Sequence, residues 1–273
     1  MATTVTVTDV RNLSGVDSTI LDDTAITNII TRVEAETLKT FNIKVTPTIT
    51  IDMVNIISRD KVNVKKTPLL AVRRIQQNNS SIDLDDIKFK SIGVIRKDFL
   101  RFYNYNSYFR RNNMLYVEYY YGYVDVKDDQ EFTTSALSAG TSVNITVSDE
   151  SIYAVDDYIR IKGFDGHVDV AKITATTTNQ ITVDELKLSH ESNSLIEIFT
   201  RPSLIDDYIL YQCALNASES AIGNTYRIAS SYSAPEYSVT KGVPHPHFTS
   251  SVDSLTKERD RIRERINADL MRA

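Results

Sequence analysis

The segment "LYVEYYYGYVDV", residues 115–126, decides the fold because it joins a strand pattern to four tyrosines in five positions. Side chains of a β-strand alternate between two faces. One face is wholly apolar or aromatic and is predicted to pack on the body of the protein: Leu115, Val117, Tyr119, Tyr121 and Tyr123. The other face is mixed and is predicted to meet a neighbouring subunit: Tyr116, Glu118, Tyr120, Gly122 and Val124. At Gly122 we expect a bulge or a close backbone approach.

The sequence before this segment changes from helical to strand periodicity. "LDDTAITNIITRVEAETLKTF", residues 21–41, predicts a helix that is capped by Asp22 or Asp23. Its apolar side chains recur at helical spacing: Ile26, Ile29, Ile30, Val33 and Phe41. "IKVTPTITIDMVNII", residues 43–57, then alternates apolar and polar residues and predicts strands, and "KKTPLLAVRRIQ", residues 65–76, predicts a strand opened by Pro68.

The sequence after this segment changes composition between residues 128 and 201. Five short strand patterns follow one another there, separated by turn residues: "TSVNITV", "DYIRIKG", "VDVAKITATT", "NQITVDELKL" and "SLIEIFT". Short strands at regular spacing are typical of a small β-barrel or sandwich. Because helical patterns resume directly afterwards, we interpret residues 128–201 as an inserted all-β domain.

Two helices are predicted at the C-terminal end of the sequence. The first starts in "RPSLIDD", with Ser203 as its cap, Asp206 at the capping-box position and Gly223 as its stop. The second is the charged segment "SLTKERDRIRERINADLMRA", residues 254–273. Its apolar stripe is thin, which fits packing either on a partner or on one neighbouring helix: Leu255, Ile262, Ile266 and Leu270.

Composition narrows the classes of protein to consider. The net charge of -5 over 273 residues argues against a dedicated nucleic-acid binder, which carries a strong basic excess. The single cysteine, Cys213, excludes an intrachain disulfide and a cysteine-based zinc site and indicates a reducing compartment. The N-terminal "MATTVTVTDV" does not resemble a signal peptide.

The sequence offers little for catalysis. It lacks the GxSxG, GxGxxG, GxxxxGK[ST] and HExxH patterns. His245 and His247 in "HPH" stand close together, but no third or fourth metal ligand is apparent. Paired carboxylates such as Asp85–Asp86 and Asp206–Asp207 fall at turns or helix starts, where aspartate caps backbone N–H groups. We therefore expect no enzyme, no cofactor and no metal.

The segment "RFYNYNSYFRR", residues 101–111, interleaves arginine with aromatic residues. Three interpretations remain open: a protein interface, a plain structural loop, or a surface that binds single-stranded nucleic acid. The protein interface is favoured because tyrosine and arginine are enriched there. The candidate residues for contact with a neighbouring subunit or a tail component are Arg101, Tyr103, Tyr105, Tyr108, Arg110, Arg111 and Tyr120.

Four segments, in this order, resemble the head–tail connector (adaptor) proteins of tailed viruses, in the long version that carries a β-rich region. They are the lead and helix up to Phe41, the Pro-Leu-x-x-Val strand "KKTPLLAVRRIQ", the strand "MLYVEYYYGYVDV" with its Gly-Tyr turn, and the helix "RPSLIDDYILYQCALNASES". In the family this helix follows the turn within a few residues. Here the β-rich insertion separates Gly122 from Pro202, so the resemblance covers roughly residues 1–127 and 202–273.

The resemblance implies an α+β fold, with a helical connector core, a β-sheet region and the inserted β-barrel or sandwich domain at 128–201. It implies a structural protein of the virion neck, assembled in the host cytoplasm, that forms a ring of about twelve copies under the portal protein. Such a ring extends the channel for double-stranded DNA, without sequence readout, and offers a platform to the next neck or tail-completion protein. No catalysis and no membrane are implied. The expected portal-docking residues lie in the last helix: Leu255, Arg259, Ile262, Arg263, Ile266 and Leu270.

Two other classes of function compete with this one. The first is a receptor- or carbohydrate-binding virion or tail protein that uses the inserted domain and stacks sugars on the tyrosine cluster. The second is a hydrolase with dispersed acidic residues, which the placement of those residues at turns disfavours.

Overall fold

The structure is a computed structural model that describes residues 3–58, 61–77, 80–84, 87–90, 94–97, 114–230 and 246–272. Within these ranges the chain forms four α-helices and two antiparallel β-sheets, so the predicted α+β class is confirmed. The chain divides into two compact units. One is formed by Lys44–Arg201, and the other by Ala2–Ile43 together with Pro202–Met271. No helix in the described ranges has the length and apolar character needed to cross a lipid bilayer.

The second unit is helical, with bounds α1 Val7–Ser14, α2 Asp23–Thr40, α3 Ser203–Ser230 and α4 Pro246–Arg272. Helix α1 was not expected from the sequence. Thr6 accepts a hydrogen bond from the Asp9 backbone N–H while the Asp9 carboxylate accepts from the Thr6 N–H, and Gly15 ends the helix with φ 68°. Helix α2 confirms its prediction, because the Asp22 carboxylate caps it by accepting from Ala25 at 2.7 Å.

Helices α1 and α2 both pack against α3. The predicted apolar face of α2 is buried at Ile26, Ile29, Ile30 and Val33, and the ring of Phe41 meets that of Tyr208 edge-on at 5.3 Å.

One prediction about α3 is corrected. The helix continues through Gly223 to Ser230, because a single glycine costs only about 1 kcal/mol in a helix interior and ends a helix only where the backbone turns left-handed. The carboxylate of Asp206, in the first turn of α3, accepts hydrogen bonds from Thr3 and Thr4, including one of 2.6 Å from the Thr4 hydroxyl. Asp206 therefore fixes the N-terminal segment on the first turn of α3.

The first unit contains a seven-stranded sheet in the order β4-β3-β7-β1-β2-β6-β5. Its strands are β1 Thr48–Ser58, β2 Lys61–Asn63, β3 Leu69–Gln77, β4 Ser80–Ile82, β5 Ile87–Lys90, β6 Val94–Lys97 and β7 Met114–Tyr121. Strand β7 lies between β1 and β3 and pairs with both. The tyrosine-rich segment is therefore the central strand of the sheet.

One face of this sheet confirms the predicted packing of β7. Leu115, Val117 and Tyr119 are fully buried in one cluster with side chains of β1, β2 and β3, and Tyr121 packs against it. At Gly122 the expected close approach is present: an added Cβ would lie 3.1 Å from the Thr46 carbonyl oxygen. The Gly122 N–H donates to the carbonyl of Pro68, whose peptide bond is cis.

The same unit contains a six-stranded sheet in the order β8-β13-β10-β11-β12-β9. Its strands are β8 Asp125–Phe132, β9 Gly140–Thr146, β10 Tyr158–Lys162, β11 Val168–Thr177, β12 Gln180–Leu186 and β13 Leu195–Thr200. All five strand patterns predicted in this region are strands. Strand β8 was not predicted, and it starts before residue 128 because Val126 and Asp125 pair with Phe199 and Thr200 of β13.

The two sheets pack together within their unit. Leu70, Ala71 and Tyr120 of the seven-stranded sheet form one cluster with Val170 and Phe199 of the six-stranded sheet. The compact unit Lys44–Arg201 contains both sheets.

Candidate functional site

Tyr119 is a structural residue of the central strand. Its side chain is fully buried, its hydroxyl donates to the Asp52 carboxylate at 2.6 Å, and it accepts from the Lys66 N–H at 3.0 Å. Burial, followed by the hydrogen bond to Asp52, raises the pKa of Tyr119 well above its usual value. The ring is therefore neutral and serves to hold β1, β7 and the chain before β3 together.

Tyr120 points to the opposite face, which the sequence predicted to meet a neighbouring subunit. The residue is only 2% exposed, and its ring packs edge-on against Tyr158 at 6.3 Å. Burial raises the pKa of Tyr120 to about 12. The prediction for Tyr120 is therefore corrected: this side chain is a core residue where the two sheets pack, because the six-stranded sheet covers it.

Arg73 is a charged residue at the contact between the two sheets. Its guanidinium donates to the Tyr120 hydroxyl at 2.9 Å, and it forms ion pairs with Glu118 at 3.3 Å and Glu185 at 2.5 Å. Glu118 also pairs with Arg74 at 2.9 Å. Because Arg73 lies on β3 and Glu185 on β12, the arginine links the two sheets while its charge stays compensated.

An apolar stripe is exposed on the seven-stranded sheet. Ile49, Ile51 and Met53 of β1 are 46%, 59% and 43% exposed, and Tyr116 of β7, which pairs with Met53, is 41% exposed. Contiguous exposed apolar side chains mark interaction surfaces. The sequence signal was present in "TITIDMVN", whose alternation carries apolar side chains on both faces, but alternation does not tell which face is covered.

The C-terminal helix α4 resolves an alternative that the sequence left open. Leu255, Ile262 and Ile266 are buried, and Leu255 belongs to one cluster with Ala214 and Leu215 of α3. Arg259 contacts Gln212 of α3 at 3.3 Å. Leu255 therefore packs on α3 of the same chain, and Ile262 and Ile266 are also covered within the chain. Of the predicted docking residues, Arg263 is exposed and Leu270 is partly exposed.

The other candidate interface residues lie outside the described residues: Arg101, Tyr103, Tyr105, Tyr108, Arg110 and Arg111.

A cleft in the first unit was not expected from the sequence. It is lined by residues 82–84 at the end of β4 and, from the six-stranded sheet, by residues 136–139, Asp165, His167 and residues 187–191. His167 is mostly buried, and its Nδ1 lies 2.8 Å from the Asp165 carboxylate. In the described part of the chain, no group of three or more ligating side chains could hold a metal ion.

Comparison of the sequence with models of protein families and with curated proteins finds no match.

Proposed function

We propose that the chain is a structural protein of the head–tail connector of a tailed virus. In this proposal it forms a ring under the portal protein in the virion neck, extends the channel for double-stranded DNA and offers a docking platform to the next neck or tail component. It acts by assembly, without catalysis and without a cofactor.

One observation carries the proposal: the four segments that resemble connector proteins come together in pairs. The first segment, α1 with α2, packs on the fourth, α3, although some 160 residues separate them in the sequence. The second and third segments are β3 and β7, which are adjacent strands from Leu69↔Tyr121 to Gln77↔Leu115. The resemblance thus covers two contiguous pieces of structure, as expected of a shared core.

The finer form of the fold is part of the proposal. The inserted domain is a barrel-like body in which one face of the six-stranded sheet encloses its own core. Apolar side chains from β9 through β13 form a single cluster, and Tyr153 and Ile152 pack against it from a connecting loop. A single core cluster lined by five strands of one sheet supports a barrel-like form over a sandwich of two separate sheets.

Portal docking is assigned to the solvent-facing side of α4, because its apolar stripe is used within the chain. Arg261, Arg263 and Arg265 are exposed there. Rim arginines of this kind steer and orient association. The net charge of -5 is compatible with a channel wall along which DNA slides without base readout.

The portal complex tests the proposal. Native mass spectrometry of the chain mixed with the portal protein of the same virus should show multiple copies on each portal. Arg263→Glu should weaken this complex at least about tenfold. Lys162→Glu, the same charge change at an exposed position of the other unit, should leave it unchanged. A wild-type mixture in which the two proteins do not associate would contradict the proposal.

A further inference from the structure

Three neighbouring strands of the seven-stranded sheet, β2, β6 and β5, are basic and contain no acidic residue. Their 11 residues, Lys61–Asn63, Val94–Lys97 and Ile87–Lys90, include four lysines and one arginine. Without those five positive charges, the net charge of the chain would be -10 and not -5. These strands therefore concentrate positive charge in an otherwise acidic protein.

The register of these strands brings most of the basic residues to one face. Directly opposite residues of an antiparallel pair lie on the same face of a sheet. Lys61 pairs with Arg96, and Arg96 pairs with Lys88, so the three residues form one row across the sheet. Lys90 is two residues further along β5 and therefore shares their face. We call this face of β2, β6 and β5 the basic face.

The burial of neighbouring residues shows that the basic face is the outer one. Val62, on the opposite face of β2, is fully buried in the core of the seven-stranded sheet, whereas Asn63 on the basic face is exposed. Ile56 of β1 pairs with Val62, so Ile51 and Met53 of the exposed stripe alternate to the side of the basic face. The basic face therefore continues the exposed side of the sheet beyond β1.

The strands on this side of the sheet offer one carboxylate, that of Glu118. It is paired with Arg73 at 3.3 Å and with Arg74 at 2.9 Å, so its charge is already compensated. Like charges directly opposite one another destabilise a sheet. A row of three basic residues, with no acid in any of its strands, is therefore the expected feature of a surface that binds an anion.

The spacing of the basic face fits the phosphates of duplex DNA. Adjacent strands lie about 4.8 Å apart, so the row spans about 10 Å, and alternate residues such as Lys88 and Lys90 are about 7 Å apart along a strand. Duplex DNA carries one charge per about 1.7 Å of its axis, so a length of about 10 Å offers about six phosphates. Lysine and arginine that contact phosphates position a duplex without reading its bases.

The composition of the basic face favours DNA over an acidic protein partner. Three of its four basic residues are lysines: Lys61, Lys88 and Lys90. Protein interfaces are depleted in lysine relative to the rest of the surface, whereas a phosphate backbone is bound by lysine and arginine alike.

We infer that the basic face binds the phosphate backbone of double-stranded DNA, without sequence preference. The inference rests on the proposed function for the identity of the polyanion, and it names the part of the chain that faces the DNA channel. The competing occupant, an acidic surface of a second copy, is an outcome of the experiment.

DNA binding by the full chain tests the inference. The basic-face variant is Lys61→Glu with Lys88→Glu, and the matched control is Lys162→Glu with Lys257→Glu, at exposed lysines of β10 and α4. Fluorescence anisotropy with a labelled duplex of about 20 base pairs in about 50 mM salt should show binding by the wild type and the control. The basic-face variant should bind at least about tenfold more weakly. Its slope of log affinity against log salt should fall by about two, one for each lysine.

Arg96→Glu adds a result that a purely structural role would not give. The new glutamate stands between Lys61 and Lys88, so opposite charges replace the row of like charges. The variant should unfold at a higher urea concentration than the wild type, yet bind the duplex at least about tenfold more weakly. A lower urea midpoint would contradict the row of like charges, and an unchanged DNA affinity would overturn the inference.

Two further outcomes overturn the DNA surface. The first is equal affinity of the basic-face variant and the control, or no binding of the duplex by the wild type. The second is loss of self-association in the basic-face variant with unchanged DNA affinity, which would assign the face to an acidic surface of a second copy.

The failure of this inference is distinguishable from the failure of the proposed function. Association with the portal without DNA binding would contradict the basic face as a DNA surface and keep the connector. DNA binding at the basic face without association with the portal would keep the surface and contradict the connector.

Discussion

Strand β10 of the six-stranded sheet and strand β1 of the seven-stranded sheet both alternate apolar and polar residues. The isoleucines are buried in β10 but exposed in the first half of β1. In β10, Ile159 and Ile161 are fully buried. In β1, Ile49 and Ile51 are 46% and 59% exposed, whereas Asp52 between Ile51 and Met53 is 8% exposed. The alternating isoleucines are therefore inside in β10 and outside in the first half of β1.

The hydrogen-bond partners of Asp52 explain this difference. Its carboxylate accepts from the Lys65 N–H at 2.8 Å and from the Tyr119 hydroxyl at 2.6 Å, so burial leaves it hydrogen-bonded. Alternation determines which residues share a face, but the partners determine which face is covered. A face that stays apolar and exposed while its polar neighbour is buried is the expected state of a surface that assembly covers.

The largest expected effect compares one substitution in the two sheets. Ile161→Asp places an unpaired charge in the core of the six-stranded sheet and should lower the free energy of unfolding by about 4 kcal/mol or more. Ile51→Asp makes the same change on the exposed stripe and should stay within about 0.5 kcal/mol. Urea denaturation followed by circular dichroism measures both. Similar losses of unfolding free energy at the two positions would contradict the difference between the buried face of β10 and the exposed stripe of β1.

Arg73 tests whether the two sheets depend on their charged link. Arg73→Met leaves Glu185 and Glu118 without this partner and should cost about 3 kcal/mol, in the range seen when a largely buried ion pair loses one member. Arg74→Met removes a half-exposed arginine from the same Glu118 and should cost under about 1 kcal/mol. Arg74→Met is the control, and both variants are measured in the same urea denaturation series. Equal costs would show that Arg73 does not link the sheets energetically.

Tyr119 tests whether the hydrogen bonds of Asp52 explain why β1 buries this carboxylate. Tyr119→Phe removes the hydroxyl that satisfies Asp52 and the Lys66 N–H, and should cost about 1–3 kcal/mol. Tyr116→Phe removes a hydroxyl from the exposed stripe and should be close to neutral. If Tyr119→Phe were equally neutral in urea denaturation, the hydrogen bonds of Asp52 would not account for its burial.

The pH dependence of stability tests the burial of Tyr120. Burial raises the pKa of Tyr120 to about 12 from an ordinary 10.0, so the folded chain keeps this proton while the unfolded chain loses it. The associated stability is fully present below pH 10 and is lost as the pH rises towards 12. The expected slope is at most about 1.4 kcal/mol per pH unit for this group. Denaturation at several pH values should show a shallower decline for Tyr120→Phe; an unchanged slope would contradict the burial of Tyr120.

Local patterns predicted much of this fold. The cap at Asp22, the apolar face of α2, strand β3 and five strands of the six-stranded sheet follow from spacings within about twenty residues. The eight-residue helix α1 was not predicted because its sequence signal is a single capping box, formed by Thr6 and Asp9. The role of Asp206 could not be predicted, since its partners Thr3 and Thr4 lie some 200 residues away.

The candidate sites were less predictable because they depend on which surfaces are covered. The stripe of Leu255, Ile262 and Ile266 fitted a partner or a neighbouring helix equally well, and only the folded chain shows that Leu255 packs on α3 and that the two isoleucines are buried. The sequence around Tyr120 suited an interface, but the six-stranded sheet covers this side chain. The cleft at the end of β4 is assembled from four stretches between residues 82 and 191, and no short sequence window contains it.

The most direct test of the connector proposal is a cryo-electron microscopy reconstruction of the neck of the virion that contains this chain. The proposal predicts a ring of copies directly under the portal, with the helical unit and both sheets recognisable in each copy and the DNA channel passing through the centre. Finding the chain only in a tail fibre or receptor-binding position, or finding no copy in the virion, would contradict it.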